Sequence, residues 1–199
     1  SISVANANIL SAATTGKVTA TVDTGSLATL NGLNAAGTPA NGDAFALTLN
    51  DTSVDAGDLS TLDSKVDQSG GGSININTVV KLTGSLTEVE QFITDKDNFT
   101  NNTNIVDVQL SAGTVGDASD LTTLSTNLRS LESPGNTAEI DLTNITAISG
   151  SFTELKAIID GKGNVGSNSK FSGVGAQALT VDTGSISVTN ANPLSAATT

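Results

Sequence analysis

Two periodicities take turns along this chain. Lys17–Val22 alternates polar and apolar residues, with Val18, Ala20 and Val22 on one side, the period of a half-buried strand. Leu27, Leu30 and Leu33 follow at helical spacing, although Gly32 weakens that helix. Ala35–Asp43 reads as a loop from its Gly, Pro and Asn content. Phe45–Leu49 then predicts a second strand. Leu59, Leu62 and Val66 predict a second helix, starting at Asp55 or Asp58, where a carboxylate can accept the free amides of the first turn. Gln68–Ser73, with three successive glycines, predicts a flexible loop. Ile74–Leu82 predicts the third strand and Ser85–Asn98 the third helix, opened by the Ser85/Glu88 capping box. Ile105–Leu110 and Asp117–Leu131 form the fourth strand and helix, the latter carrying Leu121, Leu124, Leu128 and Leu131 on one face, and Ser133–Asn136 a turn. Glu139–Leu142, continued by Ile145–Ile148, and Ser151–Asn164 form the fifth pair. Leu179–Val188 opens a sixth.

These units repeat at two scales. Ser85–Asn98 and Ser151–Asn164 match in register, two units apart. The stretch Thr52–Leu62 resembles Gly113–Leu124 with one inserted residue. Above this lies a second repeat. Ser1–Thr15 and Ser185–Thr199 agree at thirteen of fifteen positions and differ only at Ala5/Thr189 and Ile9/Pro193. Residues 1–15 therefore read as the end of a preceding 184-residue period. Residues 16–199 read as one period of about six strand–helix coils, continuous with the next copy. The duplicated stretch holds no Gly/Ser-rich hinge, so copies are expected to join without a linker. Proline removes a backbone donor, which predicts that position 9 lies outside any strand ladder, in a loop or at the start of a strand.

One strand and one helix cannot bury an apolar face alone, whereas stacked copies can. The expected fold class is therefore an α/β solenoid, with repeating strand–helix coils and a parallel sheet. Six coils at a strand spacing of about 4.8 Å would advance roughly 29 Å per period. Tandem β-sandwich domains are the alternative, and the helix signals count against them.

Composition narrows the chemistry. Lys plus Arg number 8 against 20 Asp plus Glu, a net charge of −12, which disfavours nucleic acid and anionic membranes as partners. No apolar run is long enough to span a membrane. His and Cys are absent, which removes the commonest general base, nucleophile and zinc ligands, so no enzyme and no catalytic residue is expected. Calcium is the one metal the side chains allow, through Asp95 and Asp97 in one loop and Asp160 in another. Neither loop has EF-hand or nonapeptide spacing and each contains a lysine, so a solvated polar turn is the plainer reading and no cofactor is assigned. Four sequons, at Asn50, Asn98, Asn101 and Asn144, accompany a composition rich in Asn and Thr and receive no function.

The tandem copies, Thr21–Ser26 (TVDTGS, repeated at Thr180–Ser185) and Leu49–Asp63 (LNDTSVDAGDLSTLD) resemble the giant repetitive cell-surface proteins of bacteria, particularly of marine cyanobacteria. That resemblance implies an extracellular or surface-attached, very long structural protein that forms a fibre or rod. The implied partners are adjacent repeats of the same protein and laterally associated rods. An adhesin-type module gripping a polysaccharide or partner surface is the other reading, through the loops Ala35–Asp43, Gln68–Gly72 and Gly161–Ser172.

Overall fold

The computed structural model describes residues 1–34, 42–105, 107–128, 138–162, 170–182 and 186–197. It is a mixed α/β protein whose strands form three sheets, and every pair with a defined register is parallel. The chain divides into two compact units, Ser1–Leu82 with Gln91–Asn104, and Thr83–Glu90 with Ile105–Thr199.

The first unit contains α1 (Val4–Ala13), β1 (Thr19–Thr21), α2 (Leu27–Leu30), β2 (Ala44–Thr48), β3 (Ser53–Asp55), α3 (Ala56–Asp63), β4 (Ser73–Asn75) and β6 (Phe99–Thr100), with part of β5 (Lys81–Gly84) and of α4 (Leu86–Thr94). Its sheet runs β1-β2-β4-β6. Thr19 lies opposite Ala44, Ala46 opposite Ser73, and Ile74 opposite Phe99, so each pairing advances the chain by one strand–helix segment. Phe45, Leu47 and Ile74 from the strands and Leu30, Leu59 and Leu62 from the helices are all buried. Phe92 and Phe99 close it with ring centroids 5.1 Å apart. Such aromatic pairs contribute about 0.5–1.5 kcal/mol beyond their area.

The second unit contains β7 (Asp107–Leu110), β8 (Gly113–Val115), α5 (Ala118–Leu128), β9 (Glu139–Asp141), β10 (Ile145–Gly150), α6 (Phe152–Asp160), β11 (Lys170–Ser172), β12 (Ala178–Val181) and α7 (Val188–Ala197). One of its sheets runs β8-β10-β12, and β7, β9 and β11 run side by side in another. Asp107 lies opposite Glu139 and Glu139 opposite Lys170, a longer step along the chain than in the first unit. Val108, Ile140 and Phe171 from the strands and Leu121, Leu124, Leu155 and Ile158 from the helices are buried.

Three expectations need correction. The sequence predicts one strand per helix. Instead two short strands, in different sheets, precede α3, α4, α6 and α7, and three, one in each sheet, precede α5. The predicted strand Ile74–Leu82 shows why. Asn75 Oδ1 accepts the amide of Asn77 at 3.1 Å, an Asx turn that takes the chain out of the ladder. Val80 is left 39% exposed, and pairing resumes in β5. Asp141 repeats the device two segments later, accepting the amide of Thr143 at 2.9 Å between β9 and β10.

Second, the duplicated stretch is neither loop nor strand start but helix. It forms α1 and α7, with Ile9 and Pro193 inside them. Ser3 Oγ accepts the amide of Asn6 at 3.2 Å and Ser187 Oγ that of Asn190 at 3.3 Å, so each copy starts its helix with the same N-cap. At this position the side chain faces water in both copies: Ile9 is 65% exposed and Pro193 is exposed. Position 9 does lie outside every strand ladder.

Third, the predicted loop Gly161–Ser172 ends in a strand, β11. Most of that loop, almost all of Ala35–Asp43, the turn Ser133–Asn136 and Leu131 lie outside the described residues.

Candidate functional site

Each of the three calcium candidates has a partner of its own. Asp95, just after α4, accepts Gln91 Nε2 at 2.6 Å. Asp97 pairs with the adjacent Lys96 at 2.9 Å, and its side chain is 90% exposed. Asp160 ends α6 and pairs with Lys156 one turn back. Among the described residues, no three His, Cys, Asp or Glu side chains gather as a metal group would require.

A different acid is the better-built one. Asp63, at the end of α3, accepts Asn98 Nδ2 at 2.8 Å and Gln68 Nε2. Burial raises its pKa above the ordinary carboxylate value, opposed by those two donors and reinforced by the nearby negative charge of Asp95. Sequence reasoning treated Asp63 only as a helix residue. Its signal was a carboxylate in a last turn, where the helix dipole disfavours one.

The loop Gln68–Gly72, offered as a binding loop, uses its polar groups internally. Asp67 Oδ1 accepts the Ser69 hydroxyl at 2.7 Å and the Gly70 amide at 2.9 Å. The Ser69 hydroxyl, then the Gly70 amide, hold the Asp67 carboxyl below its usual pKa. Lys17 Nζ reaches the Gly70 carbonyl at 2.7 Å. Gly70 has no room for a Cβ, which would sit 2.2 Å from Asp67 Oδ2, so the loop is wrapped around this carboxylate.

What the structure brings together instead is a set of side-chain hydrogen bonds between successive strand–helix segments. In the first unit Asn8 Nδ2 donates to the Gly32 carbonyl at 2.9 Å, and the Asn34 amide donates back to Asn8 Oδ1 at 2.8 Å. Asn31 reaches the Asp58 carbonyl at 3.1 Å, Asn101 reaches Asn75 Oδ1 at 3.0 Å, and Asn104 reaches the Asn77 carbonyl at 2.6 Å. Asp43, nearly fully buried, accepts the Val18 amide at 2.8 Å, and Asp51 accepts the Leu27 amide at 2.5 Å. In the second unit Gln109 reaches Asp141 at 2.8 Å, Thr146 the Gly113 carbonyl at 3.0 Å, and the buried Gln177 the Leu142 carbonyl at 2.9 Å.

Each of these links spans 24–35 residues of sequence, about one segment. A shielded link of this kind contributes about 1 kcal/mol net, and more would be lost by leaving a buried partner such as the Leu142 carbonyl unpaired. This gives the composition a physical reason. Amides and hydroxyls stitch neighbours where charged pairs would be screened, and Asn, Thr and Ser outnumber charged residues accordingly. No helix among the described residues is long and apolar enough to cross a membrane. No family model, no curated protein and no solved structure matches this chain.

Proposed function

We propose that this chain is a structural repeat segment of a long extracellular or cell-surface fibre or rod protein, without catalysis. The observation that carries the proposal is the near-identity of Ser1–Thr15 with Ser185–Thr199, which hold the N-capped helices α1 and α7. A stretch that forms the same element near both ends of the chain is what a tandem array of segments requires.

Three further features support the reading. Successive strands pair in parallel, each with the strand one segment on, as stacked coils of a solenoid would. Side-chain amides bond from one segment to the next. The acidic, weakly charged surface keeps long assemblies soluble without recruiting phosphate-bearing partners. Seen this way, the chain's work is mechanical: many shallow interfaces in series resist bending, and each new period adds the same increment of length.

Electron microscopy of chains with two, four and eight periods tests this. Rods whose length grows in proportion to the number of periods are the expected result. Globules joined by flexible tethers would refute the proposal.

A further inference from the structure

The duplicated helix offers the same sequence with opposite neighbours. In α1 the chain that follows is present, and Asn8 bonds to Gly32 and Asn34 within it. In α7 the chain that precedes is present, and α6 packs against it. Burial changes accordingly. Ala7 is fully buried, and Val4, Asn8 and Ser11 are half-buried, whereas Asn192 and Ser195, the counterparts of Asn8 and Ser11, are exposed. Conversely Leu194 is 7% exposed, in a helix that packs against α6, while its counterpart Leu10 is 46% exposed. Asn6 is exposed and its counterpart Asn190 half-buried. At roughly 100° per residue, positions 4, 7, 8 and 11 share one side of the helix, and positions 6 and 10 share another about 130° away.

We infer that the Asn6–Leu10 side of α1 is a docking surface, and that its occupant is the α6 segment of a preceding copy of this same 184-residue period. The inference rests on the tandem reading above and adds the contact through which copies join. Leu194 shows the fit: this leucine is buried in the copy of the helix that packs against α6. In a two-period chain α7 of the first copy and α1 of the second are one helix, buried on both sides. Its leucine then lies against the preceding segment and its Ala-Asn-Ser side against the following one. The join is covalent by construction, because α7 already occupies the α6 surface within its own copy and leaves no seat for the α1 of a separate chain.

The test is hydrogen exchange on the single-period chain (residues 1–199) and on a chain of two periods (residues 1–199 followed by a second 16–199). The shared helix at the junction is expected to exchange at least about tenfold slower than α1 or α7 of the single-period chain. Exchange at the α7 rate would overturn the inference. A second arm uses two substitutions. Leu194→Asn in the two-period chain should abolish the junction's added protection. Leu10→Asn in the single-period chain should leave the melting temperature unchanged, and a loss as large as that from Leu194→Asn would mean that Leu10 is already packed. Concentration-dependent association of single-period chains that Leu10→Asn abolishes would also overturn the covalent assignment. The rod reading fails separately: a protected junction in a chain that images as a flexible string sustains the docking contact and refutes the rod.

Discussion

Paired strands lie closer along the chain in the first unit than in the second: Thr19 pairs with Ala44, but Asp107 pairs with Glu139. Both units follow one plan of two short strands and a helix. The difference lies partly in the helices. α2 has 4 residues and α3 has 8, while α5 has 11. A four-residue helix buries only Leu27 and Leu30, too little apolar surface to hold itself. It is fastened by polar links to the next segment: the Leu27 amide to Asp51, Asn31 to the Asp58 carbonyl, and Lys65 to the Asn31 carbonyl. α5 instead buries Leu121, Leu124 and Leu128 along one stripe. Two kinds of cohesion thus serve one architecture, and helix length decides which dominates.

Substitutions can separate the two. The largest effect is expected from Leu124→Ala, which empties a fully buried site in the apolar-dominated unit. A loss of about 3 kcal/mol and a fall in melting temperature of about 6–12 °C should follow, read by calorimetry. Next, Asp43→Ala in the first unit leaves the Val18 amide without its acceptor. Removing the partner of a buried donor costs about 1–3 kcal/mol. Hydrogen exchange should place that loss in β1 and β2, and a loss spread evenly over both units would break the comparison.

Smaller is the effect of Ser151→Ala. Ser151 and Glu154 form a reciprocal capping box, with the Ser151 amide donating to Glu154 at 2.8 Å and the Glu154 amide to Ser151 Oγ at 3.4 Å. About 1 kcal/mol should be lost, seen as faster exchange in the first turn of α6. Smallest, and opposite in sign, is Glu90→Gln. Burial, then the charge of Asp120, raise the Glu90 pKa, so the folded protein disfavours its charged form. The penalty is present above the raised pKa and vanishes once pH falls below the ordinary glutamate value, where both states are protonated. Partial exposure screens it, so the gain in melting temperature should be about 1–2 °C at neutral pH and absent in acid. A gain that persisted in acid would refute the charge argument.

Local signals in the sequence carried far. Asp55 does cap α3, accepting the amides of Gly57 and Asp58 at 2.9 and 3.2 Å. The Ser85/Glu88 pair does bond as a capping box, at 2.7 and 3.3 Å, and the Ser85 amide, then its hydroxyl, lower the Glu88 pKa. The leucine stripe of α5 is buried as its spacing predicts. The second strands β3 and β8 were not legible, because they have three residues each, too few to display a period. Asp63 escaped notice because its two amide donors come from Gln68 and Asn98, the latter from a different segment. The lysine inside each calcium-candidate loop was legible, whereas the partners one helical turn back, Gln91 for Asp95 and Lys156 for Asp160, were not.

The sequence by itself determined the duplication of Ser1–Thr15 at Ser185–Thr199, the helix starts at Asp55, Ser85 and Ser151, and the absence of histidine and cysteine. Those follow from composition and from bonds within a single helical turn, which any copy of a stretch makes in the same way. Only the tertiary structure decided which strands share a sheet and which side of the repeated helix is covered, because those depend on chain a whole segment away. Leu10 and Leu194 make the point: each stands at the same place in the same capped helix, and one faces water while the other is buried. The difference is α6, which no local rule could supply.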